Sequence, residues 1–297
     1  MQRPFEIPTE VYPFESKWLE VDGQTIHYVD EGEGPVIVFC HGNPSWSLLY
    51  VDIIKELRSD FRCIAMDYPG FGMSGKPDIA QYGYTPGEHS AILQAFIEKM
   101  GLTDFSIFVQ DWGGPIGLGA AGRMPERIRR MYIGNTWAWK YKEGTEMYTN
   151  AKAFSDKMGG PESKARIMEK NTFLKISMNQ LLAGAKKNTP DLADAVKAAW
   201  LAPFSTPESR LPTWVFPGQI MGAGDFLTEV ENNMAKLADK PAVLFWGMKD
   251  MVFPPSTLED WRKMLNNIQK EVPLPEANHF FQTEEPELIA KTIREFE

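Results

Sequence analysis

Cysteine is nearly absent from these 297 residues: Cys40 and Cys63 are the only two. A pair of thiols inside or at the end of apolar strands cannot supply the disulfide framework of a small secreted domain, so both are expected to be free and structural. A catalytic thiol at Cys40 is disfavoured, because its neighbour His41 would point to the opposite face of an extended segment. Four histidines without any Cys/His group at ligand spacing leave no metal site to expect. No apolar run approaches the ~18 residues of a membrane span. The opening MQRPFEIPTEVYPFES has no apolar signal core, which leads us to expect a cytoplasmic protein. Positive charge is also short: 31 Lys and Arg against 40 Asp and Glu give a net charge of −9, with no basic block to meet phosphates, so nucleic acid is not an expected partner. No Gly-x-Gly-x-x-Gly follows a first strand, and no organic cofactor is implied.

What the chain does have is ample material for a core. Its residues are 43 % hydrophobic and 12 % aromatic, and a charged fraction of 24 % is too ordinary for global disorder. Short apolar runs read as strands at Lys17 to Val21, Gln24 to Val29, Pro35 to Cys40, Phe61 to Asp67, Phe105 to Gln110 and Ile128 to Gly134. Helical patterns near Leu48 to Leu57, Glu88 to Met100 and Pro115 to Arg123 lie between them. Alternation of this kind predicts a mostly parallel sheet covered on both faces. The rhythm returns with strands at Ala242 to Trp246 and Glu271 to Leu274 and a closing helix from about Glu284 to Phe296, which Thr283 is placed to cap.

Between them, residues 136–216 lack β-branched runs and carry helical segments such as Glu162 to Glu169 and Asp191 to Trp200. We expect a helical cap inserted between two pieces of one core, 1–135 and 217–297. Its aromatics, Trp137, Trp139, Phe154, Phe173, Phe204 and Trp214, should mostly form the insertion's own core, with a minority lining a cavity against the sheet.

In a parallel sheet, ligands bind beyond the carboxyl ends of the strands. Those ends hold His41-Gly42-Asn43-Pro44, Asp111-Trp112-Gly113-Gly114, Gly247-Met248-Lys249-Asp250 and Ala277-Asn278-His279. The Gln110-Asp111-Trp112-Gly113-Gly114 segment resembles the sharp turn that displays the nucleophile in α/β-hydrolases, with Asp where an esterase has Ser. The chain order of Asp111, Asp250 and His279 is that fold's order of nucleophile, acid and histidine. A carboxylate needs no base to activate it and becomes an ester after attack, so the base serves water instead. His279, oriented by Asp250, suits that role. Trp112 and Asn43 carry N–H donors and no acid, which fits a departing halide better than an oxygen that needs a proton.

These motifs, with Asp67-Tyr68-Pro69-Gly70-Phe71-Gly72, Pro203-Phe204 and Asn278-His279-Phe280, span nearly the whole chain and resemble the haloalkane dehalogenases of the α/β-hydrolase superfamily. The resemblance implies Asp111 as nucleophile, His279 as base, Asp250 as acid, and the Asn43 and Trp112 side chains as halide ligands. It also implies an oxyanion hole from the backbone amides of Asn43 and Trp112. Pro203 matches a pocket-lining cap proline, and Phe204, Phe154 and Phe173 are further pocket candidates. His41 resembles a strand-end histidine that supports its loop. The partners implied are a small halogenated hydrocarbon and a halide ion; a monomer and a homo-oligomer fit equally. An epoxide hydrolase would want two donating cap tyrosines, and the insertion offers only Tyr141 and Tyr148, near its start. A luciferase on the same framework could share all five residues. A ligand receptor that had lost its chemistry would be expected to lack part of the triad. No arginine closely follows Asp111, as a fluoroacetate-type dehalogenase would require.

Overall fold

The computed structural model describes residues 1–297. Eight strands form one sheet: β1 (Lys17–Val21), β2 (Gln24–Glu31), β3 (Val36–Cys40), β4 (Arg62–Met66), β5 (Phe105–Gln110), β6 (Ile128–Gly134), β7 (Ala242–Gly247) and β8 (Ile268–Leu274). Their order is β1-β2-β4-β3-β5-β6-β7-β8, and β2 alone runs against its neighbours. The central strands β3, β5 and β7 are apolar nearly throughout because both of their faces are covered; β5 and β7 are buried at every position. At the β8 edge, burial alternates and the apolar residues thin out.

Helices α1 (Val51–Leu57), α2 (Pro86–Lys99) and α3 (Gly113–Arg123) connect the early strands. Thr85 and Glu88 close a capping box that starts α2. The insertion folds as α4 (Glu146–Gly159), α5 (Pro161–Lys170), α6 (Thr172–Leu181), α7 (Ala183–Asn188), α8 (Ala193–Leu201) and α9 (Leu211–Gly222). The chain returns through α10 (Gly224–Asn233), α11 (Thr257–Met264), α12 (Phe281–Glu284) and α13 (Pro286–Phe296). No helix is long and apolar enough to cross a membrane.

Two expectations about element ends change. The boundary placed at 216/217 falls inside α9. Pro217 costs that helix one backbone donor without ending it, because α9 is clamped on two sides. Gly218 lies against Gly159 of α4, and Phe216 packs edge-on to Trp112 and Phe71. Thr283 does not cap the closing helix: it lies within α12, its hydroxyl bonded to the Phe280 carbonyl. The helix α13 starts after Glu285 with Pro286 at its first position, where a missing N–H costs nothing.

Candidate active site

Four strand ends deliver the polar residues. After β5 the chain turns through Asp111, whose φ of 51° lies in the left-handed region. For a non-glycine residue that conformation is strained and must be imposed by its surroundings. Here the Asp111 N–H donates to the Asn135 carbonyl, and the Asp111 carbonyl accepts from Thr136 Oγ1 at 2.5 Å and from the Gly114 N–H. The tightness of the turn is why glycine follows: a Cβ at Gly113 would stand 2.1 Å from the Cys40 carbonyl oxygen, and one at Gly42 would stand 2.1 Å from Asp111 Oδ1.

The Asp111 carboxylate therefore projects at the N-terminus of α3, where the helix dipole favours negative charge. Its Oδ1 accepts from the Asn43 backbone N–H at 2.7 Å, and its Oδ2 lies 3.5 Å from His279 Nε2. Of the two backbone amides expected to form an oxyanion hole, only that of Asn43 bonds the carboxylate in this state. His279 Nδ1 donates to Asp250 Oδ2 at 2.8 Å. Asp250 is itself fixed by Val252 N–H on Oδ1 (2.6 Å) and by Asn135 Nδ2 on Oδ2 (2.8 Å). The fold therefore brings Asn43, Asp111, His279 and Asp250 together.

Two supporting residues went unnominated. Asn135 follows directly on β6. In the fold it donates to Asp250 and to the Gly247 carbonyl and accepts from the Gly247 N–H, tying β6 to β7. Gln110 Nε2 donates to the His279 carbonyl at 3.0 Å and lies 3.0 Å from His279 Nε2. The left-handed φ of 38° at Asn135 had no sequence signal beyond the tolerance of Asn for that region.

Electrostatics at His279 oppose one another. Burial disfavours the charged ring, yet Asp250 and Asp111 together raise its pKa to about 10. The Gln110 amide facing Nε2 instead favours that nitrogen as an acceptor. A full charge outweighs an amide dipole at similar range, so the carboxylates prevail while Asp111 is ionised. His41 goes the other way: burial lowers it to about 4, and the neutral ring donates from Nδ1 to the Gly42 carbonyl and accepts the Tyr68 N–H on Nε2, bracing the loop that carries Asn43. Burial also pushes both thiols up to about 12, which leaves Cys40 and Cys63 inert. His27 is fully buried, with Nδ1 2.8 Å from Asp67 Oδ2.

A cavity of about 560 Å³ opens above the carboxylate. Asn43, Asp111, Trp112 and His279 form its floor; Trp137, Tyr141, Phe154, Phe173 and Ile220 from the insertion are among its walls. Trp112 is held edge-on by Trp137 at 4.7 Å. Phe154 and Phe173 line this cavity. Pro203 and Phe204 do not: both are buried away from it, with Phe204 edge-on to Phe71 at 6.1 Å, because the turn after α8 faces the Phe71 loop. A larger hollow of about 620 Å³ beyond Tyr141 contains none of the triad and is edged by charged groups such as Lys140, Lys152 and Glu231.

Residues 35–286 match the α/β hydrolase fold family. Haloalkane dehalogenase 2 of Mycobacterium tuberculosis is 38 % identical over 99 % of each chain. A cis-3-alkyl-4-alkyloxetan-2-one decarboxylase of Shewanella oneidensis is 30 % identical over 86 % of this chain and 80 % of its own. The crystal structure of haloalkane dehalogenase DbeA from Bradyrhizobium elkani superposes with a TM-score of 0.80 at 25 % identity, covering 95 % of this chain and 97 % of that one. The fold and the site geometry define an α/β-hydrolase with a carboxylate at the nucleophile turn. Within that class, the chain belongs to the haloalkane dehalogenase family.

Proposed function

We propose that this protein hydrolyses carbon–halogen bonds of haloalkanes in two displacements centred on Asp111. Asp111 Oδ2, free of any backbone donor, attacks the halogenated carbon from behind. The carbon–halogen bond breaks with its electron pair, and the halide departs toward the Asn43 amide and Trp112 indole N–H groups, which face charge that grows as the bond lengthens. The product of this step is an alkyl ester of Asp111. A water then loses a proton to His279 Nε2 and adds to the ester carbonyl carbon, while the Asn43 backbone N–H bonds the developing oxyanion. Collapse restores Asp111 and releases the alcohol, leaving one proton to solvent. Asp250 holds the imidazole with Nε2 toward the ester.

The observation that carries this reading is the placement of an acid-free donor pair and a carboxylate on the floor of one apolar cavity, with the imidazole 3.5 Å away. An epoxide reaction would need donors for an oxygen leaving group; of the two insertion tyrosines only Tyr141 lines the cavity, while Tyr148 turns toward Glu143. The two buried, unpaired thiols support a cytoplasmic setting.

The decisive assay incubates the protein with 1-bromobutane or 1,2-dibromoethane and follows bromide and acid together. Equal release of both is expected, with Asp111→Asn lowering the rate by about 10⁴ or more. Folded protein that releases neither overturns the proposal. Loss of carbon dioxide from an oxetan-2-one without any dehalogenation would move the chain to the chemistry named for its Shewanella relative.

A further inference from the structure

Seven large apolar side chains stand exposed on this molecule, and four of them, Phe154 (41 %), Ile176 (62 %), Met251 (85 %) and Val252 (52 %), line the same cavity as Asp111. Scattered exposed apolar residues need no explanation, whereas a cluster at the mouth of a site does. The rim comes from three separate segments: α4, α6 and the loop after β7 that also carries Asp250. Below it the wall continues as Phe173, Pro217, Ile220 and Phe253 down to the carboxylate. Apolar side chains thus predominate between the reacting atom and solvent, with Asn150, Ser177 and Gln180 the polar residues among the walls. The cavity of about 560 Å³ lies in the ~300–1,000 Å³ range that buries drug-sized ligands, well beyond the needs of a four-carbon halide.

We infer that the enzyme is built for long-chain, terminally halogenated alkanes whose tails extend up the cavity and lie across the Phe154, Ile176, Met251 and Val252 rim. The inference rests on the dehalogenase reading and specifies its substrate class. A short substrate touches only the floor and the lower walls; each further methylene removes apolar surface from water on both partners. Full burial gains roughly fourfold in affinity per methylene. Tail contacts also hold the halogenated carbon in line with Asp111 Oδ2, so part of the gain enters the transition state.

The test compares kcat/KM for 1-bromobutane, 1-bromohexane and 1-bromooctane, each below its solubility limit, using bromide release. A rise of at least tenfold from the four-carbon to the eight-carbon substrate is expected. Ile176→Ser and Met251→Ser are then expected to lower the eight-to-four-carbon ratio several-fold; at such exposed positions the substitutions leave the fold intact. A ratio near one or below it in the parent, with bromide still released from every substrate, overturns the long-chain assignment and leaves the dehalogenase reading intact. So does a ratio that neither variant changes. Absence of bromide from all three substrates would instead condemn the reading beneath it.

Discussion

Burial disfavours charge on the imidazole at position 279, yet two carboxylates raise its pKa to about 10, so around neutrality the resting ring is protonated and is no base. Alkylation of Asp111 changes that. The ester has neither the negative charge nor the same hydrogen-bonding power, so one of the two groups that hold the proton disappears, and the Gln110 amide keeps facing Nε2. In the proposed mechanism the first displacement thereby creates the base that the second requires. The sign of the pH dependence follows: breakdown of the alkyl-enzyme needs neutral His279, and its pKa in the ester lies below the resting value of about 10. In single-turnover experiments, ester breakdown should fall up to tenfold per pH unit on the acid side of that lowered pKa, while the alkylation burst stays level across the same window. A burst that falls in parallel would sink the switch. At the same residue, His279→Phe is expected to release about one bromide per protein and then stop, with a butyl adduct on Asp111 in the mass spectrum after 1-bromobutane; an adduct elsewhere refutes Asp111 as nucleophile.

Among elements, the junction of β6 with β7 carries more than its sequence announces. Asn135 ends β6 in a left-handed conformation and uses its amide to hold both Asp250 and the Gly247 backbone. Glycine tolerates the same φ, so Asn135→Gly removes the amide without straining the turn. Loss of a buried hydrogen bond to a charged group is worth about 1.5–3 kcal/mol, which predicts a 10- to 100-fold drop in kcat with kcat/KM near the parental value. The drop should fall mainly on ester breakdown, because Asp250 orients His279 and does not touch the alkylation step. Stopped-flow bromide bursts at the parental rate, followed by slow turnover, would be the signature; equal loss in both phases would show that Asn135 holds the whole turn, its carbonyl on the Asp111 N–H included.

At the scale of the molecule, the cavity exists because a helical layer is fastened over the carboxyl edge of the sheet. The layer is itself held together at the crossing of α4 with α9, where a Cβ on Gly159 would lie 2.2 Å from the Gly218 backbone nitrogen. No side chain can yield there, since the obstacle is backbone. Gly159→Ala is therefore expected to force α4 and α9 apart at about 1–3 kcal/mol. Because α4 carries Phe154 and α9 carries Ile220, the cavity should loosen as well. Hydrogen exchange would locate the effect: faster exchange across 146–222 with β3, β5 and β7 unchanged is the expected pattern, and uniform acceleration would mean that the layer does not open independently of the sheet.

The strands, their parallel arrangement and the four strand-end motifs were legible in the chain because each is set by local pattern: apolar runs bounded by turn residues, and glycines beside a strained Asp111. The meeting of Asp111, Asp250 and His279 followed, since strand ends of a parallel sheet share one edge whatever the details of packing. Other features were decided only by the folded chain. Phe154 and Phe204 are indistinguishable as aromatics of one insertion, yet the first faces the cavity and the second faces Phe71, because that choice depends on how the helices dock. Pro217 marks a break in the sequence and sits within a continuous helix in the fold, since contacts on both sides of α9 outweigh one missing donor. Asn135 and Gln110 gained their tasks from partners more than a hundred residues away in the chain. Local pattern settles what a segment becomes; which of its side chains meet the reacting atoms is settled by long-range contacts that no window of sequence contains.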